Sequence, residues 1–117
     1  MPGETVRILH TNDLHGTLDD RRQATLGAIR SDHDLYFDTG DCIKTGNLGI
    51  PLKPEPVWTR LASLACTASV PGNRESHVLR STFDAKLAGH THPILCANLY
   101  DREGARILAP NLVVEAG

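Results

Sequence analysis

Three short apolar runs in this sequence each stop beside a glycine and a side chain able to bind a metal ion. Val6–His10 leads into Thr11-Asn12-Asp13-Leu14-His15-Gly16, Leu35–Asp38 into Thr39-Gly40-Asp41, and Thr67–Val70 into Pro71-Gly72-Asn73. Helical segments separate the runs. Asp19 and Asp20 are placed to cap a helix over Arg22–Arg30, with Ala24, Leu26 and Ile29 as its apolar face. Pro54 and Pro56 suit the start of a second over Val57–Ala65, where Val57, Leu61, Leu64 and Ala65 recur at helical spacing. Ser76 is placed to cap a third, with Leu79, Phe83 and Leu87 at four-residue intervals and Gly89 closing it. Strands alternating with helices define an α/β fold on a mostly parallel sheet. Such sheets bind ligands at the carboxyl ends of their strands, so the three polar clusters are expected on one rim.

The remainder reads as a fourth strand over Ile94–Leu99, a turn at Asp101-Arg102-Glu103-Gly104, and a short β pair of Ile107–Leu108 with Leu112–Val114. With 117 residues, 40% hydrophobic and 22% charged, the chain is one globular domain or part of one, and disorder is excluded. A net charge of -2 with scattered Lys and Arg offers no footprint for nucleic acid. No run approaches the ~20 apolar residues that span a bilayer, so no membrane partner is expected. Met1-Pro2-Gly3-Glu4 lacks the basic and apolar regions of a signal peptide. Cys42, Cys66 and Cys96 are odd in number and widely spaced, and read as buried reduced thiols. Together these features point to the cytoplasm.

The polar clusters carry the chemistry. Asp13 and His15 lie two apart and would share a face of an extended segment. A carboxylate with an imidazole suits zinc, manganese, iron or cobalt rather than calcium. Asp41 adds a second carboxylate behind Gly40, and Asn73 a neutral amide oxygen behind Gly72. Because a carboxylate has two oxygens, Asp41 is able to bridge two divalent metal ions about 3.5–4 Å apart, as in two-metal hydrolytic sites. Each residue alone has a plainer reading. An Asp after a strand is commonly a cap or turn former, Asp38 could support a ligand rather than be one, and a lone His15 would be a surface histidine. The joint pattern is what favours a metal site.

The segment Ile8-Leu9-His10-Thr11-Asn12-Asp13-Leu14-His15-Gly16 resembles the first signature of the 5'-nucleotidase group within the calcineurin-like metallophosphoesterases. Asp38-Thr39-Gly40-Asp41 is similar to that family's second motif, Gly72-Asn73-Arg74-Glu75 to its Gly-Asn-His-Glu motif, and Pro93–Tyr100 to a strand that follows. The resemblance implies a four-layer αββα sandwich and hydrolysis of a small phosphoester or nucleotide at two divalent ions. Asp13 and His15 would bind one ion, Asp41 would bridge, and Asn73 would bind the other. The family places a leaving-group histidine after the Asn and an acidic residue three positions later; this chain has Arg74 and His77 there. Arg74 is expected to brace phosphate charge, since a guanidinium does not give up its proton, and His77 to act as the acid.

Gly89-His90-Thr91-His92 matches a later Gly-His-x-His motif but precedes the fourth strand, and reads as a loop match. The alternatives are that His90 and His92 complete the metal site, or form a zinc site with Cys96. By the same resemblance the chain corresponds to the N-terminal portion of the domain, incomplete at its C-terminus. It is then expected to expose an apolar sheet face and to self-associate or depend on a second half. The alternative function is a remnant that binds metal or phosphate without turnover; a third reading is an interaction module that keeps only the scaffold.

Overall fold

The computed structural model describes residues 3–116; Met1, Pro2 and Gly117, on which the readings of both chain ends partly rest, lie outside the described residues. Strands β1 (Ile8–Thr11), β2 (Leu35–Asp38) and β3 (Ala68–Ser69) form one sheet in the order β1-β2-β3. All pair in parallel, with Ile8 beside Leu35, Thr11 beside Asp38 and Asp38 beside Ser69. Helices α1 (Asp20–Arg30) and α2 (Val57–Ser63) make the crossovers, and α3 (Arg80–Leu87) follows β3. Strands in chain order with right-handed crossovers place α1 and α2 over the same face. Polar links join the two helices there. Arg60 Nη1 donates to Asp20 Oδ1 (3.1 Å) and Gln23 Oε1 (2.7 Å), and Arg30 donates to the carbonyls of Leu64 and Ala65.

Tyr36 is fully buried on the covered face and packs with Ile43, Trp58, Leu61, Leu64 and Phe83. Burying side chains of this size contributes about 1.5–3 kcal/mol each. Trp58, outside the expected stripe of α2, is the largest of them, and its indole N–H donates to Lys86 O at 2.9 Å. Period-two alternation puts Ile8, Leu35 and Phe37 on the opposite face. The apolar run Val6–His10 is expected to be buried, but Ile8 is exposed there and Leu35 and Phe37 are half-buried: β1 is an edge strand with one face uncovered.

Four further expectations are corrected. Helix α1 begins on the Asp19 cap, whose Oδ1 accepts from Arg22 N at 2.8 Å, but it buries no residue. Of its anticipated apolar face only Leu26 packs against the core, because arginines from α1 and α2 make the main attachments. Ser76 does not cap α3: its hydroxyl donates to Gly72 O, and His77 Nδ1 accepts the Leu79 N–H one turn before the helix begins. Residues 94–99 form no continuous strand. Two-residue β3 offers only the Ser69–Ile94 bridge, and Leu95 then bridges Ala109. The turn at 101–104 forms around Asp101, while Leu112–Val114 joins no ladder; Tyr100 bridges Arg106 instead.

All three cysteines are free. Cys42 and Cys66 are buried and Cys96 half-buried, with its thiol donating to Asn98 Oδ1. Burial pushes the Cys66 thiol up to about 12 and Cys42 higher, which leaves both unreactive. Among the described residues no helix is long and apolar enough to cross a membrane.

Candidate metal centre

Beyond the end of the sheet the loops after β1 and β2 stay joined. Asp13 N donates to Gly40 O (3.0 Å), His15 N to Asp41 O (2.9 Å) and Gly16 N to Cys42 O (2.8 Å). This pairing brings the first two polar clusters together. Ligand atoms of Asp13, His15 and Asp41 lie within 4.8 Å of one another, with His15 Nε2 3.7 Å from Asp13 Oδ1. Among the described residues this is the one group of three His, Cys, Asp or Glu side chains so arranged. Donors sharing an ion at ~2.1 Å sit up to ~4 Å apart, so small side-chain rotations complete the fit.

The backbone is bent to make this possible. Asp13 (φ 58°), His15 (φ 51°) and Asp41 (φ 55°) all adopt the left-handed conformation. The remaining described non-glycine residue to do so is Ala65, at the end of α2. Asp and His tolerate that region better than most residues, and such strain concentrates at functional sites.

The third loop closes against the second through two glycines. A Cβ on Gly40 would lie 2.6 Å from Gly72 N, and one on Gly72 would fall on the Asp41 carboxylate. Arg74 N donates to Asp41 Oδ1 at 2.9 Å, which fixes the carboxylate from the third loop. Asn73 precedes Arg74 and is exposed. The Arg74 guanidinium donates to Lys44 O (2.8 Å), and His77, half-buried, keeps Nε2 available because Nδ1 accepts from Leu79 N.

Sequence reasoning did not single out the supports beneath these ligands. Glu75 is 1% exposed, and its carboxyl accepts from Asp41 N (2.6 Å), Gly72 N (2.8 Å) and Ile43 N (3.3 Å). Lys86 is fully buried and donates to the carbonyls of Gly46, Asn47 and Arg74 at 2.6–3.0 Å. Burial lowers its pKa from the ordinary lysine value. Glu55, also buried, accepts from Lys44 N, Thr45 N and the Thr45 hydroxyl. The motif reading quoted Glu75 without assigning it a role; a lysine on the apolar stripe side of α3 was the available sign for Lys86.

His90 and His92 stand apart from the centre. His92 Nε2 is 2.9 Å from Ser69 Oγ, its ring lies against Trp58, and His90 Nδ1 is 2.5 Å from Leu87 O. They belong to no three-donor group with Cys96 or with the Asp–His–Asp set among the described residues.

Two buried groups near the site act oppositely on stability across one pH range. Burial raises the Asp38 carboxyl from 3.8 to about 6, despite hydrogen bonds from Thr11 Oγ1 and Gly40 N. The folded state then holds that proton more tightly than the unfolded chain, so stability falls as pH rises from about 4 to 6. Burial, with His90 adding to it, lowers His92 from 6.5 to about 4. Here the unfolded chain takes the proton first, and stability falls as pH drops through the same range. Each displacement corresponds to about 3 kcal/mol, so these two contributions nearly cancel. In metal-free protein, His92→Gln is expected to gain about 3 kcal/mol relative to wild type as pH drops from 6.5 to 4. Urea unfolding at stepped pH measures this; a pH-independent difference between the two proteins would refute the assignment.

A parallel sheet whose carboxyl rim gathers an Asp–His–Asp donor set defines a candidate metalloenzyme. A family model described as calcineurin-like phosphoesterase matches residues 6–108, and the chain belongs to that family. Membership brings metal-dependent phosphoester hydrolysis as the class of activity and divalent metal ions as the class of cofactor. No curated protein matches the chain.

Proposed function

We propose that this chain hydrolyses phosphoesters at two divalent cations in the manner of the 5'-nucleotidase-like group, with nucleotides as substrates. The observation that carries this reading is the convergence of Asp13, His15 and Asp41 within 4.8 Å at the sheet rim. Asp13 and His15 would hold one ion, Asp41 would serve both, and Asn73 would give its amide oxygen to the second. When bound, such cations supply positive charge for the phosphate oxygens and acidify a water molecule.

The chain's own groups orient the ester. The Arg74 N–H keeps the Asp41 carboxylate in place, and the guanidinium donors not used on Lys44 O would brace the phosphate charge. His77 donates a hydrogen bond from Nε2 to the departing oxygen while Leu79 N holds its other nitrogen. The uncovered sheet face bearing Ile8, Leu35 and Phe37 packs against a second copy or further polypeptide, and the free cysteines go with a cytoplasmic setting.

Calorimetric titration with manganese, combined with phosphate release from nucleotides and simple esters, tests the proposal. Two bound ions and manganese-stimulated release are expected. One weakly held ion with no turnover would instead favour a remnant that binds without hydrolysing.

A further inference from the structure

Residues 41–47 lie in no helix or strand, yet three buried charged side chains grip their main chain. Glu75 accepts from Asp41 N and Ile43 N, Glu55 accepts from Lys44 N and Thr45 N, and Lys86 donates to Gly46 O and Asn47 O. Glu75 alone reaches the backbone of Asp41. The bonds from Glu55 and Lys86 fall beyond that ligand, on residues 44–47, and so fix the part of the loop that carries Lys44.

Lys44 meets the candidate centre on two sides. A Cβ on Gly16, the residue after His15, would lie 2.5 Å from Lys44 Cβ, so only a glycine there leaves room for the lysine stem. On the other side the Arg74 guanidinium donates to Lys44 O at 2.8 Å, while the Arg74 N–H holds Asp41 Oδ1. Lys44 is exposed, and neither it nor Arg74 joins an ion pair among the described residues.

We infer that Lys44 is a substrate-contacting residue whose ammonium donates to a non-bridging oxygen of the phosphate at the candidate centre. The inference rests on the hydrolase reading and adds to it a residue outside the metal-binding motifs. Lysine binds phosphate as a compact point charge and arginine through a planar fork, so Lys44 and Arg74 side by side are complementary rather than redundant. A lysine on a loose loop would lose backbone as well as side-chain freedom on gripping an anion. Here the buried charges have fixed the backbone in advance. A lysine kept only for surface polarity would need no such support, and Lys53, the other exposed lysine, has no backbone hydrogen bond of this kind among the described residues.

The test uses the full chain with manganese, inorganic phosphate as ligand and pyridoxal phosphate as a lysine probe. The probe's aldehyde condenses with an amine to an imine, losing water, and borohydride reduction fixes the label for peptide mapping. Label is expected on Lys44 in preference to Lys53 and is expected to fall when inorganic phosphate is added, whereas pyridoxal, which lacks the phosphate, should mark both lysines alike. In Lys44→Met, phosphate affinity should weaken about tenfold with manganese affinity unchanged. Lys44→Arg should retain most of the phosphate affinity, and Lys53→Met all of it. Equal labelling of Lys44 and Lys53 without phosphate protection, or unchanged phosphate affinity in Lys44→Met, would overturn the assignment and leave the hydrolase reading standing. Phosphate held through Lys44 with no ester hydrolysed would uphold the contact and refute hydrolysis. If the wild-type chain takes up neither manganese nor phosphate, both readings fail together.

Discussion

Replacing Asp41 by asparagine is expected to lower phosphoester turnover at least ~10³-fold, equivalent to about 4 kcal/mol of barrier, with the fold retained. The substitution separates charge from shape. An amide oxygen still accepts the Arg74 N–H, now made to Asp41 Oδ1 at 2.9 Å. The Asp41 N–H still reaches Glu75, and asparagine is at ease at φ 55°. What disappears is the negative charge and the second oxygen able to serve another cation. On the proposed assignment Asp41 is the bridge, so both ions should be held less tightly. Metal content after dialysis, kcat with manganese and the thermal midpoint together check this. Normal metal content and turnover in a folded Asp41→Asn protein would end the assignment of Asp41 as the bridge.

The parts of the site that could be read from the sequence are those set by chain order. Asp13, His15 and Asp41 each follow a strand within a few residues, and parallel strands deliver their carboxyl ends to one rim. Their meeting needed no knowledge of side-chain packing. Strand β2 was found residue for residue because a Tyr-Phe pair between polar turns has few alternatives. The supports were hidden for the opposite reason. Whether a glutamate binds three backbone amides, as Glu75 does, depends on how separate loops curl over it. Neither composition nor period carries that information. The start of α3 was misplaced for a related cause: residues 73–79 close the metal loop before the helix can form, so Ser76 turns back to Gly72. Residues 94–99 have strand composition, yet pairing requires a neighbour, and β3 is two residues long. The left-handed backbone at three candidate ligands was likewise out of reach, although Gly16 and Gly40 beside them marked the bends.

Glu75→Gln is expected to lower metal affinity about 10–100-fold and to destabilise the protein by about 1–3 kcal/mol. Oε1 accepts from Asp41 N and Gly72 N, while Oε2 accepts from Ile43 N. Glutamine can reproduce the first pair with its amide oxygen, but its NH₂ then opposes the Ile43 N–H. One buried donor loses its acceptor at a site 1% exposed to water. The same change removes a carboxylate whose charge acts on buried Lys86, and Lys86 in turn holds the Arg74 carbonyl at 2.6 Å. Strain should therefore spread to both hydrogen bonds that locate Asp41, one from each side of its peptide and carboxylate. Glu75→Ala orphans all three donors and leaves a cavity, so a larger loss of about 3–5 kcal/mol is expected. Urea unfolding of both variants gives the stability terms, and manganese titration of the glutamine variant gives the affinity. If Glu75→Gln binds manganese as wild type does while being destabilised, Glu75 supports the fold alone and the left-handed Asp41 loop holds its geometry by other means.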